Sequence, residues 1–239
     1  MQDSKNVDDS EMSEPSDSTL PVKATTRRLS PEVREKQIVL KAIEHFATHG
    51  FSGSTRELAR QLEITQPLLY RYFPSKEALI DRVYDEVYRW DTSWEAVIKD
   101  RSQSLQSRLV RFYTSYANVI LRREWIRIFV FAGLTREGIN DRYLGKLRER
   151  VFIPVIAEIR HAHGLASSSD KTINNKELEL IWSLHASIFY VGMRKWIYDL
   201  PVTEDIDALI EQMVDAFLHG SPHVLQQVDN EISESSQPT

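Results

Sequence analysis

Cysteine is absent from the 239 residues, which excludes disulfides, thiolate catalysis and cysteine-based zinc sites. Glycine and proline are scarce, at 8 and 9 residues, and no stretch alternates apolar and polar residues between turns, so strands are not expected. A long apolar run is also missing. The most apolar stretch, residues 125–134, is interrupted by Arg127 and falls short of the ~18 residues that a membrane span needs. The N-terminus, MQDSKNVDDSEMSEPSDS, is acidic and polar with no apolar centre. It does not read as a secretory signal, and a cytoplasmic protein with no membrane partner is the expectation. Positive charge is in the minority, with 30 Lys and Arg against 35 Asp and Glu and a net charge of -5.

That net charge misleads about partners, because it is unevenly spread. Residues 1–21 hold one Lys and six acids, while residues 22–90 hold 12 Lys and Arg against 9 acids. Residues 91–220 balance, and the last 19 are acidic again. The one basic region therefore lies near the N-terminus, and a local basic patch matters more to nucleic acid than the global sum.

With 41% hydrophobic and 27% charged residues, the chain is globular in composition and long enough for a sizeable core. Residues 1–30 lack aromatics and are rich in Ser, Asp, Glu, Thr and Pro. They are expected to form a disordered acidic tail, and 221–239 a second one. Everything between reads as helix, so the fold class is all-α, with no internal repeat. Ser30 is a good N-cap, Pro31 suits the first helical position, and Gly50 is a natural stop. Ile38, Ala42 and Phe46, with Val39, Ile43 and Ala47, make an apolar stripe at helical spacing. A second helix starts at Ser54 or Thr55 and runs through Leu62. After Glu63, Ile64 and Thr65 comes a third, QPLLYRYF, with Pro67 in its first turn. A fourth begins after Pro74 and Ser75. Further helices are expected over about 92–102, 104–122, 124–135, 140–163, 175–198 and 203–219, with a loop at 164–176.

Two short helices joined by a three-residue turn have the geometry of a helix-turn-helix, whose second helix can enter a DNA major groove. Ala59 would sit on the inner side, and Ile64 and Leu69 would pack the hinge. Thr65, Gln66, Tyr70, Arg71 and Tyr72 are then left for DNA, with Arg56, Arg60, Arg71 and Lys76 placed for phosphates. Thr55 and Pro67, in the first turns of the two helices, complete the candidate set. Each has a plainer reading: Tyr70 and Tyr72 as core aromatics, Arg71 and Lys76 as solvated charges, Gln66 as an ordinary first-turn residue.

The run GFSGSTRELARQLEITQPLLYRYFPSKEALI resembles the N-terminal domain of the TetR family of transcriptional regulators. The likeness rests on Phe46, Gly50-Phe51, Thr55, Leu58-Ala59, Thr65, Leu69-Tyr70, Tyr72-Phe73, Lys76 and Leu79, and covers about residues 33–85. It departs at Glu63, where the family often has a small residue, and at Gln66-Pro67, where Lys-Gly or Arg-Ala types are common. The second departure bears on the base sequence read. The resemblance implies a helix-turn-helix domain over 31–90 and a larger helical effector-binding and dimerisation domain over 91–220. It implies double-stranded DNA with a palindromic operator as partner, a homodimer, and a small-molecule effector whose binding alters the spacing of the DNA-reading domains. A repressor is the expectation.

The C-terminal half names no ligand. Candidate cavity walls are Phe112, Tyr116, Phe129, Trp182 and Phe189, with Tyr113, Arg127 and His185 as polar anchors. Arg127, flanked by apolar residues, is expected to meet a carboxylate of the fold or an acidic ligand. His185 reads as a packed histidine, a dimer-interface residue or a pocket group. His161 and His163 are two apart and point away from each other on a helix, so no metal is expected. No catalytic constellation stands out; neither an enzyme nor a cofactor is expected. The alternative function is a helical adaptor whose helix-turn-helix no longer binds DNA. For the dimer, Leu178, Ile181, Trp182, His185, Ile188 and Phe189, with Ile206, Leu209, Ile210, Met213 and Phe217, are expected to build a four-helix interface, and Gly192 to allow its close crossing.

Overall fold

The computed structural model describes residues 30–135, 138–165, 173 and 175–235. The expected acidic tail lies outside these residues except for Ser30, as does most of the loop 164–176. Among the described residues there are eleven α-helices, one π-helical stretch and no strand.

Four helices form the N-terminal unit: α1 (Pro31–His49), α2 (Thr55–Gln61), α3 (Gln66–Tyr72) and α4 (Lys76–Val87). Each starts where a hydroxyl side chain can accept from a first-turn N–H. Ser30 accepts from Val33, Ser54 from Arg56, Thr65 from Leu68 and Ser75 from Ala78. Such caps satisfy donors that the helix leaves orphaned, each worth about 1 kcal/mol. α1 ends at Gly50, whose φ of 69° is left-handed and whose N–H bonds to Phe46. A Cβ at Gly50 would stand 3.0 Å from the Phe131 ring, so glycine also makes room for α7 of the C-terminal unit. Ile38, Val39, Ala42 and Phe46 of α1 bury their stripe with Leu58, Leu69, Phe73, Leu79 and Val83.

The C-terminal unit comprises α5 (Ser93–Lys99), α6 (Leu105–Ile120), α7 (Arg123–Thr135), α8 (Ile139–Leu147), α9 (Ile153–Ala162), α10 (Asn175–Trp196) and α11 (Ile206–Ser235). The single helix expected over 140–163 is instead α8 and α9 joined by the π-helical stretch Arg148–Phe152. Pro154 supplies the reason: it has no N–H for the i−4 carbonyl and its ring crowds that carbonyl, so the preceding turn widens. α7 packs on α1 with one face and on α8 and α10 with others. It is therefore the helix that joins the two units.

Two expectations are corrected here. The last helix does not stop near 219, and 221–235 is not a disordered tail: α11 runs on through Pro222 to Ser235. Ser221, Leu225 and Val228, spaced four and three apart, are buried, and Asp229 accepts two hydrogen bonds of 3.0 Å from the buried Arg160. Packing of that stripe overrides the proline and the polar composition. Residues 236–239 lie outside the described ones. Second, Leu178, Ile181, His185 and Ile188 of α10 are buried in the protomer's own core. The close crossing at Gly192 is also internal, since a Cβ there would lie 2.5 Å from Ile126 Cδ1 on α7. What α10 exposes is a face of Ser183, Ala186, Ser187 and Tyr190.

Candidate nucleic-acid interface

The turn between α2 and α3 is built by backbone geometry. Glu63 takes a φ of 54°, the left-handed region that non-glycine residues adopt at a cost. Its N–H bonds to Arg60 and that of Ile64 reaches back to Ala59, the pair of bonds that closes a helix through a left-handed residue. Ile64 then packs partly buried against the core. Thr65 caps α3, and α3 buries Leu69 while leaving Pro67, Tyr70 and Arg71 exposed.

A polar link holds the two helices in register. Thr55 Oγ1 lies 3.1 Å from Tyr70 Oη, and Gln66 Nε2 donates to the same Thr55 oxygen at 3.1 Å. Three of the sequence-predicted DNA residues, from the first turn of α2 and the length of α3, thus meet at one point. Arg56 and Arg71 are exposed, and neither is in an ion pair among the described residues. Arg60 is paired with Glu57 at 2.7 Å, and hydrogen bonds from Arg60 and Gln61 hold the Glu57 carboxyl down at about 2. Arg60 is the one basic group here whose charge is already answered locally.

Two predicted residues are placed differently from the rest. Tyr72 is half-buried against the core. Lys76, the first residue of α4, donates its ammonium to the Phe51 carbonyl in the α1–α2 connection. The charge stays at the edge of the helix-turn-helix, and it also ties that connection to α4. Neither link could be read from spacing, because both depend on a loop's path.

A family model described as "Bacterial regulatory proteins, tetR family" matches residues 38–83, from within α1 through α2 and α3 into α4. Over that stretch the chain is similar to this family. The chain is also similar to two HTH-type transcriptional regulators. The HTH-type transcriptional regulator LuxR of Vibrio harveyi is 35% identical over 63 residues, 26% of this chain and 31% of the relative. YuxN of Bacillus subtilis, also an HTH-type transcriptional regulator, is 28% identical over 97 residues, 39% of this chain and 33% of the relative. The alignments span about a third of each relative's length. The fold of the larger unit is shared as well. A TetR-like transcriptional regulator from Rhodococcus sp. RHA1 matches with a TM-score of 0.55 at 21% identity, over 81% of this chain and 100% of that one. A tetR-family regulator from Streptomyces coelicolor matches with a TM-score of 0.53 at 16% identity, over 87% and 100%.

In the C-terminal unit the candidates converge on an aromatic core, with one exception. Phe112, Tyr113 and Tyr116 of α6 are buried. The Phe112 and Tyr116 rings stack at 5.4 Å, and Trp94 meets Tyr116 edge-on at 5.2 Å. His185 lies 5.6 Å from Tyr116, 5.4 Å from Phe152 and 5.6 Å from Trp182. Phe129 and Phe189 form a second group with Trp125, which stacks on Phe129 at 4.9 Å. Tyr143 joins the groups: its ring is 5.2 Å from Trp125, and its hydroxyl is 3.2 Å from that of Tyr116. Trp94, Tyr143 and Phe152 were not among the sequence candidates. Helical periodicity marks them as apolar but cannot say which faces meet.

The exception is Arg127. It pairs with no carboxylate among the described residues and faces away from the aromatic group. Its Nε donates to the Ala47 carbonyl in the last turn of α1, and Nη1 to the Trp196 carbonyl at the end of α10, at 3.2 Å. The guanidinium also stands 5.5 Å from the centre of the Phe131 ring. Carbonyls at helix C-termini carry partial negative charge and lack intrahelical donors, so a cation satisfies them. Arg127 therefore fastens the N-terminal unit to α7 and α10. These bonds make it a structural tie between the two units.

Among the described residues, Tyr113 Oη, His185 Nδ1 and Trp125 Nε1 have no hydrogen-bond partner. Each such group costs about 1–3 kcal/mol of desolvation. Burial alone, with no charged neighbour, pushes the His185 imidazole down to about 3 and the Tyr113 phenol well up. As for a metal, no cluster of three or more His, Asp or Glu fit to hold one is found among the described residues. No helix there is long and apolar enough to cross a membrane.

Proposed function

We propose that the protein is a homodimeric transcriptional regulator that binds a roughly palindromic operator through α3. In this reading it is a repressor, released by a small hydrophobic or aromatic effector that enters the unit formed by residues 91–200. One observation carries the DNA-binding part. α3 buries Leu69 and exposes Pro67, Tyr70 and Arg71, and the Thr55–Gln66–Tyr70 link fixes that exposed side relative to α2. A single α-helix fits the major groove, and uncompensated arginines such as Arg56 and Arg71 suit its phosphates. Two-fold symmetric dimers read two half-sites about one helical turn apart. The exposed face of small residues on α10, with Ala216 and Gly220 exposed on α11, suits close packing against a second copy. This replaces the bulky stripe that the sequence suggested for the interface.

The test is a gel shift of the full chain on genomic fragments at several salt concentrations. Arg71→Ala should weaken binding and flatten the slope of log K against log salt by about one unit per lost phosphate contact. The same slope and affinity in the variant would remove Arg71 from the interface. Absence of salt-dependent binding by the parent would favour the adaptor reading. Sedimentation at micromolar concentration should give twice the 27.8 kDa chain mass, and a monomer would overturn the dimer.

A further inference from the structure

We infer that the acidic run at the start of the chain, Asp3 to Asp17, docks on the α2–α3 face of the same chain and competes there with DNA. The docking stands on charge and reach, and its consequence for DNA rests on the regulator reading. Residues 1–21 carry six acids against one Lys, and Asp8, Asp9, Glu11 and Glu14 fall within seven residues. These acids lie outside the described residues. The face has the opposite character: Ile64 to Lys76 contains Arg71 and Lys76 and no acid. Several other cations of the N-terminal unit are answered locally, Lys41 by Glu44, Arg60 by Glu57 and Arg82 by Glu86. Arg56 and Arg71 are exposed, and neither is in an ion pair among the described residues. A guanidinium offers a planar fork of N–H donors that carboxylate and phosphate accept alike. The side of α3 that suits DNA phosphates therefore suits a run of carboxylates for the same reason.

Position makes the encounter local. The described chain begins at Ser30, the cap of α1. The first turns of α1 stand beside the helix-turn-helix: Arg34 and Gln37 line one cleft, of about 390 Å³, with Gln61, Leu62 and Glu63. Thirteen residue steps separate Asp17 from Ser30, and such a stretch spans at most about 45 Å when extended. α2 and α3 have seven residues each and are about 10 Å long, so the acids can reach every part of that face. Exposed ion pairs are individually weak, but a tethered segment acts at about millimolar effective concentration. That is enough to occupy the face part of the time and to yield to a duplex. A contact broken before any DNA binds lowers the affinity for every DNA by one common factor.

The experiment uses the full chain. A variant carrying Asp3→Asn, Asp8→Asn, Asp9→Asn, Glu11→Gln, Glu14→Gln and Asp17→Asn together is compared with the parent in gel shifts. The DNAs are a genomic fragment that the parent binds and a random duplex of the same length, each at about 50 and about 300 mM salt. At the lower salt the variant should bind both about three- to tenfold more tightly than the parent, by the same factor for each. The gap should close at the higher salt, where the contact is screened. Equal affinities of variant and parent at low salt would overturn the proposal, as would a gain for one DNA only. Docking without DNA is read by carbodiimide coupling of carboxylates to amines in a full chain carrying Arg71→Lys, which keeps the charge and adds a reactive amine. Links should join the acids of residues 8–14 to position 71 within one chain, and the bound fragment should suppress them. Links to Lys23 alone, or links only between two chains, would overturn the docking. If the links form and neither protein binds DNA, the regulator reading fails and the docking stands. If DNA is bound and no link to position 71 forms, the docking alone fails.

Discussion

Acidification from pH 7 to pH 5 should weaken this fold through His185, well before its carboxylates titrate. The imidazole is buried among the rings of Tyr116, Phe152 and Trp182, and burial moves its pKa from 6.5 to about 3. The folded chain therefore keeps His185 neutral at pH 5, whereas the unfolded chain protonates it. Between pH 6.5 and 3 the unfolded state binds more protons, so stability falls as pH falls. At pH 5 the unfolded state gains a factor of about 30 from protonation, or about 2 kcal/mol relative to pH 7. That is a large fraction of the 5–15 kcal/mol by which a domain of this kind is stable. The pKa of His45, in the N-terminal unit, is lowered too, first by burial and then by the charge of His49, so its contribution has the same sign. The assay is urea unfolding at fixed protein concentration, at pH 7, 6, 5.5 and 5. The parent's midpoint should fall by about 1 M between pH 7 and 5, for an m-value of about 2 kcal/mol/M. His185→Leu should remove most of that fall, and His185→Gln should do so with a polar side chain kept in place. Parallel pH profiles for the parent and both variants would refute the assignment.

Three further outcomes follow from other contacts. Arg160→Ala should cost about 3–5 kcal/mol in the same unfolding assay, because it takes a buried cation away from the buried Glu177 and the half-buried Asp229; amide exchange over residues 221–235 should rise with it, and an unchanged rate would separate Asp229 from the anchoring of α11. Gly192→Ala places a Cβ 2.5 Å from Ile126 Cδ1 and should lose about 1–3 kcal/mol through overpacking; thermal unfolding no lower than the parent's would show that α7 and α10 can part there. Glu63→Gly relieves a left-handed φ of 54° and should raise stability by up to about 1 kcal/mol, read as a higher melting temperature with operator affinity retained.

The local features of the N-terminal unit were legible in the sequence because its signals are local. Ser30, Ser54, Thr65 and Ser75 each cap a helix within four residues, and Gly50 ends one by its own φ. Even the departure at Glu63 has a local meaning, since the turn needs a left-handed residue and this chain uses a strained one. The helices of the C-terminal unit were also legible from periodicity, but their partners were not. Apolar spacing on α10 marked Ile181, His185 and Ile188 as covered without saying by what, and tertiary packing assigned them to the protomer's own core rather than to a second copy. Polar composition and Pro222 read as a tail, and three residues at helical spacing plus an ion pair to Arg160 made residues 221–235 helix. Arg127 shows the same division most sharply. Its apolar neighbours announced a buried cation that needs a partner, yet the partners are backbone carbonyls of Ala47 and Trp196, 80 and 69 residues away in sequence. Backbone acceptors carry no residue type, so only the tertiary structure could decide where that charge is satisfied.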